Sequence, residues 1–149
     1  YVTREQFVKM LVLATAKYNS DAKCAFGDVS ENDWSYPYIA SAVSEGIISG
    51  VSESEFGHGA DITRQDMAVI IYRIINSADD AQSELDKIAA DTTIFADIGS
   101  VSEYALSAVK YLKDEGLVAG RDDGRFAPKD FVSRAEAAVM ISRIMEYIK

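Results

Sequence analysis

The sequence predicts an all-α fold in which three capped central helices pack around an approximate threefold axis. A five-residue signature occurs at positions 2–6, 62–66 and 132–136, where Val or Ile is followed by Thr or Ser, Arg and two further residues. The copies are 60 and 70 residues apart, and each precedes a largely apolar segment. Internal repeats of this size indicate stacked units with a shared core. Three equally capped apolar helices can bury their faces only against one another.

Each signature is typical of a helix N-terminus. The Ser or Thr at its second position can accept a hydrogen bond from the amide three residues later, where a Gln, Asp or Glu can bond back to the cap amide. The Asp of the second copy is shorter, so we expect it to reach the cap amide less well and to act mainly on the positive helix end. The predicted caps are Thr3, Thr63 and Ser133, and their paired residues are Gln6, Asp66 and Glu136.

The second and third repeats also share two elements upstream of the signature. The first is Phe-Gly-Asp-Val or Phe-Ala-Asp-Ile, and the second is Gly-Ile-Ile-Ser-Gly or Gly-Leu-Val-Ala-Gly. Asp28 and Asp97 belong to the first element, and we expect their carboxylates to cap the turn or short helix that follows. Gly46 and Gly116 open the second element, where the left-handed C-terminal cap of a short helix is needed.

The repeats divide the chain within a single predicted domain, residues 1–149. Two short helices are expected over about residues 35–45 and 103–115, and a further helix over residues 78 to 90. The first repeat has no upstream half in this sequence, so either that half lies outside the sequence or the bundle is incomplete. The predicted parts are the C-terminal half of repeat one at 1–25, repeat two at 26–75, a polar helical insertion at 76–94 and repeat three at 95–149.

Composition and charge exclude several classes of protein. The net charge of −9 opposes nucleic-acid binding, which depends on clustered Lys and Arg. No stretch approaches the ~20 consecutive apolar residues that cross a bilayer. His58 is the only histidine, and the acidic turn at 122–124 lacks the EF-hand ligand spacing. Because no motif singles out a pair of carboxylates, the sequence predicts a protein that is not an enzyme and that has no metal or cofactor.

The repeat unit resembles the S-layer homology domain, whose last element is usually written ITRAE. Its parts are, in order, the Phe-x-Asp element, an aromatic residue, the element that begins and ends with Gly (the glycine-flanked element), a Phe and the signature. The resemblance covers almost the whole chain except the insertion. It implies a pseudo-threefold bundle whose capped helices meet at the centre, while short helices and loops form three lobes. It further implies that the chain anchors an exported protein to the bacterial surface by binding an anionic secondary cell-wall polysaccharide, often pyruvylated, in grooves between lobes.

By this resemblance the signature arginines are ligand contacts, at Arg4, Arg64 and Arg134. At a helix start the free amides and the dipole favour an anion, and the planar guanidinium matches a carboxylate. The alternative is a side chain that is simply solvated. We expect Arg64 and Arg134 to matter more than Arg4, because their repeats retain the upstream elements.

Other candidate contacts have two interpretations each. Trp34 and Tyr104 occupy the aromatic position and could stack on a sugar or plug a lobe. Gly46 and Gly116 allow close approach of a ligand to the backbone, although a tight turn is their first explanation. Two alternatives to glycan binding also stay open, namely interaction with other S-layer proteins through the same scaffold and a structural spacer whose grooves have diverged.

Overall fold

The computed structural model describes residues 1–76 and 94–149. Within these ranges the regular structure is helical, which confirms the predicted all-α fold. The predicted helix over residues 78 to 90 lies outside the described residues. The helices are α1 Arg4–Ala14, α2 Tyr36–Ser44, α3 Arg64–Ile75, α4 Glu103–Asp114 and α5 Arg134–Tyr147, with a 3₁₀ turn Ile98–Ser100 before α4.

Three backbone hydrogen bonds join the signatures in a closed ring. The amide of Val2 donates to the carbonyl of Val132, the amide of Val132 to Ile62, and the amide of Ile62 to Val2, each at 3.0 Å. All three side chains are buried in the core. Because these residues are the first positions of the three signatures, the ring relates the three helix starts by an approximate threefold axis.

The central helices bury their apolar faces partly on short helices and partly on one another. α1 packs chiefly against α2, and α3 packs chiefly against α4, while α5 packs against α1. One continuous apolar cluster runs through these contacts. On α5 the side chains of Ile141 and Ile144 join this cluster, whereas Val139 and Met145 are exposed. The short helices therefore form the lobes around the central helices.

The signature residues form a capping box at the start of α1 and of α5, and a single cap bond at the start of α3. Ser133 Oγ accepts from the amide of Glu136 at 3.2 Å, and Glu136 Oε2 accepts from the amide of Ser133 at 2.8 Å. Thr63 Oγ1 accepts from the amide of Asp66 at 3.3 Å. The carboxylate of Asp66 accepts from the Thr63 hydroxyl at 2.6 Å, and not from the amide of Thr63. The paired glutamine accepts from the amide of Thr3 at 3.3 Å. The shorter Asp side chain accounts for the difference.

Asp28 does not cap the turn that follows it, so the local partner expected from the sequence needs correction. Its carboxylate accepts the amides of Phe56, Gly57 and His58 at 2.8, 2.7 and 2.8 Å. Burial alone would raise the pKa of Asp28, but these three hydrogen bonds outweigh it and lower the pKa. The loop returns to the start of its lobe with unpaired amides, and the carboxylate satisfies them.

Asp97 has the same long-range role in the third repeat. Its carboxylate accepts the amides of Phe126 and Ala127 at 2.7 and 2.9 Å. The local cap expected here is therefore corrected in the same way. In each repeat the aspartate ties the beginning of the lobe to the loop that precedes the next signature.

Candidate ligand-binding grooves

Two grooves with related walls lie between the helix starts and the lobes. Groove I has Arg4 and residues 49–51 on one side, α3 on the other and Tyr104 at its rim, with a volume of about 370 Å³. Groove II has Arg64 and residues 118–121 on one side and α5 on the other, with a volume of about 320 Å³. The walls of groove II come from the positions of the next repeat that are equivalent to those lining groove I. Each groove therefore combines one signature arginine with the glycine-flanked element and the central helix that come next in the chain.

A third space, groove III, is built differently. It lies between Arg134 and α1, with Trp34 at its rim, and has a volume of about 410 Å³. Arg134 is exposed, and the described residues that line this groove include no glycine-flanked element. Arg134 therefore has the solvated side chain that the sequence left open as an alternative, whereas the other two signature arginines do not.

Arg4 and Arg64 are buried in matching seats. Arg4 Nε donates to the Phe56 carbonyl at 3.1 Å, and Arg64 Nε donates to the Phe126 carbonyl at 2.8 Å. Each guanidinium also lies over the ring of that phenylalanine, 5.1 and 5.2 Å from its centroid. Both arginines are 8% exposed. One edge of each guanidinium is thus fixed by the lobe, and the rest faces the groove.

Some of the helix-start amides that the sequence suggested as anion donors are already bonded within the chain. The amide of Arg4 donates to the carbonyl of Ala60, and that of Arg64 to the carbonyl of Asp130, both at 2.9 Å. The next amide of α3 donates to the carbonyl of Pro128 at 3.0 Å. The first amide of each helix is thus bonded within the chain, and it does not supply the anion contact expected from the sequence.

In groove II the arginine has a carboxylate partner from its own chain. Arg64 Nη1 lies 2.7 Å from Glu136 Oε1. Burial lowers the pKa of Arg64, and the charge of Glu136 opposes this effect. The pKa of Glu136 is lowered, because hydrogen bonds from Ser133 and the charge of Arg64 together outweigh its burial. Arg143 at the far end of the groove donates to a backbone carbonyl at 2.9 Å.

Groove I contains a second arginine, Arg73, which the sequence analysis missed. Arg73 Nη1 donates to Ser49 Oγ at 2.9 Å, and Arg4 Nη2 lies 3.5 Å from the Ser49 carbonyl oxygen. Burial lowers the pKa of Arg73. Burial also lowers the pKa of Arg4, and the positive charge of Arg73 lowers it further. Asp66 opposes the shift on Arg4. A signal for Arg73 was present, because it follows Asp66 by two turns on the same helix face.

The two rim aromatics stand in the open and do not plug the lobes. Tyr104 is 62% exposed and Trp34 is 51% exposed. The Tyr104 hydroxyl donates to Asp66 Oδ1 and accepts from Gln65 Nε2, both at 2.6 Å. Burial and the hydrogen bond to Asp66 raise the pKa of Tyr104 to about 12. Lys9 Nζ lies 5.1 Å from the centre of the Trp34 ring. Gln65, a buried residue that the sequence analysis also missed, fixes the position of Tyr104.

The glycines predicted as contacts end helices instead. Gly46 and Gly116 have φ of 67° and 69°, and the residue after each donates to a helix carbonyl five residues earlier at 2.9 Å. Grooves I and II are lined by Gly50 and Gly120, at the other end of the same elements. A Cβ at Gly50 would lie 2.2 Å from a backbone oxygen. The close approach suggested from the sequence thus applies to the second glycine of each element.

The described part of the chain shows no cluster of three or more His, Cys, Asp or Glu side chains that could hold a metal ion. In the acidic turn at 122–124, Asp123 pairs with Arg125 at 2.7 Å. None of the described helices is long and apolar enough to cross a membrane.

Arginine-lined grooves on a helical repeat scaffold have the features of a binding module built from tandem units. The sequence matches the S-layer homology domain over residues 25–68 and again over residues 94–138. These matches cover more than half of the chain, so it belongs to the S-layer homology domain family, and the resemblance inferred from the sequence is confirmed. Domains of this family are noncatalytic, which also confirms that the module is not an enzyme.

Several larger proteins contain a region similar to this chain. The amylopullulanase of Thermoanaerobacterium thermosulfurigenes is 32% identical over 97% of the chain, and the surface-layer 125 kDa protein of Lysinibacillus sphaericus is 30% identical over 83%. The cellulosome-anchoring protein of Acetivibrio thermocellus is 22% identical over 94%. The chain spans only 8%, 10% and 30% of the length of these relatives, respectively. Family and relatives together support a role at the cell surface.

Proposed function

We propose that this chain is a cell-wall-anchoring module that binds an anionic secondary cell-wall polysaccharide and thereby attaches an exported protein to the bacterial surface. Membership of the S-layer homology family supports the anchoring role. It is further supported by similarity to proteins described as surface-layer and cellulosome-anchoring. The polymer is the one that the resemblance to this family implies, and the arginines of the grooves support an anionic ligand.

The observation that carries the proposal is the buried arginine seat at Arg4 and Arg64. A hydrogen bond from Nε to a backbone carbonyl holds each guanidinium in place at the groove, so less side-chain entropy is lost when a ligand binds there. A planar donor fork matches a carboxylate on a sugar, such as that of a pyruvate ketal. The exposed ring of Tyr104 at the rim of groove I offers a surface for the apolar face of a pyranose.

Net charge does not oppose this assignment. The chain carries −9 overall, but charges farther apart than about 8–10 Å are screened at physiological salt. A ligand carboxylate inside a groove is therefore governed by the nearest groups. In a partly buried groove, attraction to an arginine is also stronger than it would be in open water.

Cosedimentation with purified cell walls, before and after chemical removal of the secondary polymer, tests the proposal. We expect binding to intact walls and loss of binding after extraction. The double variant Arg4→Gln, Arg64→Gln should bind weakly while staying helical. Arg125→Gln is the matched control, because Arg125 is exposed and pairs with Asp123 on the surface. Equal binding to extracted and intact walls would refute the polymer as the ligand and favour interaction with other surface proteins.

The relative importance of the three arginines is part of the same test. The sequence ranks Arg64 and Arg134 above Arg4, and this ranking stays a prediction. The geometry supports a different order, because Arg4 occupies a complete seat and Arg134 is exposed. Single Arg→Gln variants in the same assay distinguish the two orders.

A further inference from the structure

We propose that Tyr111 and Tyr147 form a site of covalent modification, at which a one-electron oxidant joins their rings into an intrachain dityrosine that fastens α5 to α4. Both residues lie near the C-terminal ends of their helices. Neither of them lines groove I, II or III. The inference is therefore independent of glycan binding.

The hydroxyl groups of the two tyrosines are in contact. Tyr111 Oη lies 3.3 Å from Tyr147 Oη. A dityrosine bond joins the ring carbons next to the hydroxyl-bearing carbon, so contact between the hydroxyls brings the coupling carbons close together. The ring of Tyr111 packs edge-on against Tyr72, with centroids 5.1 Å apart and an angle of 79°. Tyr147 is 40% exposed, so an oxidant in solution can reach it.

Glu115 is placed to take the proton that Tyr147 loses on oxidation. The Tyr147 hydroxyl donates to Glu115 Oε2 at 2.9 Å, which leaves the Tyr111 hydroxyl to donate to Tyr147. The hydrogen bond with Tyr111, burial and the hydrogen bond to Glu115 raise the pKa of Tyr147, so the phenol is protonated at neutral pH. Removing an electron from a protonated phenol is easier when a base accepts the proton in the same step.

The tyrosine pair is a feature of the third repeat and not of the repeat scaffold. The residue equivalent to Tyr111 in the second repeat is Ser41, 70 residues earlier in the chain. Its hydroxyl is buried and bonds to backbone carbonyls. At the end of α5 the side chains of Met145, Tyr147 and Ile148 are all exposed, so packing holds this end weakly. A cross-link between the two tyrosines would fasten the helix there.

The coupling removes two electrons and two protons from the protein. Each phenol loses one electron and its hydroxyl proton, and the proton of Tyr147 passes to Glu115 and then to water. The two phenoxyl radicals form a carbon–carbon bond between the positions next to the oxygens. The hydrogens on those carbons then move to the oxygens, which restores both phenols. The oxidant is hydrogen peroxide acting through a peroxidase, and one peroxide takes up the two electrons and two protons to give two waters.

Treatment of the dilute chain with a peroxidase and limiting hydrogen peroxide tests the proposal. We expect a monomer that has lost two hydrogen atoms by intact-mass spectrometry and that shows dityrosine fluorescence. Trypsin cleavage after Lys and Arg releases residues 111–113 and 144–149, each with a single tyrosine, so a linked pair of these fragments identifies the bond. The bond joins residues 36 positions apart. Like a disulfide, it should raise the urea midpoint of unfolding above that of the untreated chain.

Three variants and one matched control assign the roles. Tyr111→Phe and Tyr147→Phe should each abolish the linked fragments, because phenylalanine keeps the ring but cannot form a phenoxyl radical. Tyr38→Phe is the control, since the Tyr38 ring lies 5.5 Å from that of Tyr18 in a second tyrosine pair. It should leave the linked fragments unchanged. Glu115→Gln keeps an oxygen that accepts a hydrogen bond but cannot take the proton, so it should slow the coupling several-fold.

Several results would overturn the inference. Linked fragments that join Tyr18 to Tyr38, or cross-links only between molecules, refute the assignment of the site. Addition of oxygen atoms without loss of hydrogen refutes coupling as the modification. Equal rates for the parent and a Glu115→Gln variant of unchanged helical content refute the role of the carboxylate. Fragment mapping of the parent chain decides the site even where a variant fails to fold.

Discussion

Replacing Asp28 by alanine should lower the free energy of unfolding by about 3 kcal/mol. The carboxylate accepts three amides, from Phe56, Gly57 and His58, at 2.7–2.8 Å. Alanine leaves all three without this acceptor. Because the site is partly buried and water can replace some of the lost bonding, we take ~1 kcal/mol for each amide, the lower end of the usual range. In a chain of this size the loss corresponds to a fall in melting temperature of roughly 6–12 °C.

The corresponding variant in the third repeat, Asp97→Ala, gives a second stability loss. The ratio of the two losses does not depend on the energy assumed for each amide. Asp97 accepts two amides, so Asp97→Ala should cost ~2 kcal/mol, about two-thirds of the loss for Asp28→Ala. Urea denaturation followed by far-UV circular dichroism measures both. Glu31→Ala is the control, because Glu31 is an exposed acidic residue in the same segment. A cost for Asp28→Ala within ~0.5 kcal/mol of this control would refute the reasoning.

Three further changes test the caps and the acid groups. Ser133→Ala should cost ~1 kcal/mol by removing the cap acceptor, and an unchanged urea midpoint at equal m-value would contradict the cap. Gly116→Ala should cost ~1–2 kcal/mol from its positive φ alone, because no neighbour lies near the added Cβ. Glu136 has a lowered pKa in the fold, so its contribution is complete above its unfolded pKa and is lost as the pH falls through the folded value. Urea midpoints should thus be steady down to about pH 5 and then decline. The decline should be smaller in Glu136→Gln, and equal declines would contradict the link.

The parts of the fold that the sequence predicts are those encoded by short spacings. The caps at Thr63 and Ser133 pair residues three positions apart, and the turn after Gly116 depends on one backbone angle. Such features have one physical solution wherever the pattern occurs. The repeat then places three of these units on one axis, because stacked units bury a shared core, although α1 and α3 pack more on the short helices than on the other central helices.

The parts that the sequence does not predict depend on partners far along the chain. Arg4 and Arg134 begin the same kind of helix with the same signature, yet one is buried on a carbonyl 52 residues away and the other is exposed. The partner of Glu136 is 72 residues away. A local pattern fixes where an arginine begins its helix, but the charge of its surroundings is set by whichever loop and helix the fold brings beside it.

The ring formed by Val2, Ile62 and Val132 has a consequence for how the chain folds. Each member both donates and accepts, so withdrawing any one segment breaks two of the three bonds together. The segments are 60 and 70 residues apart, and the entropy of closing such loops is lost before the contacts that compensate for it are made. We therefore expect that a single repeat does not fold on its own. We expect the chain to fold more slowly than its helical content suggests, and to cross one barrier at which all three segments meet.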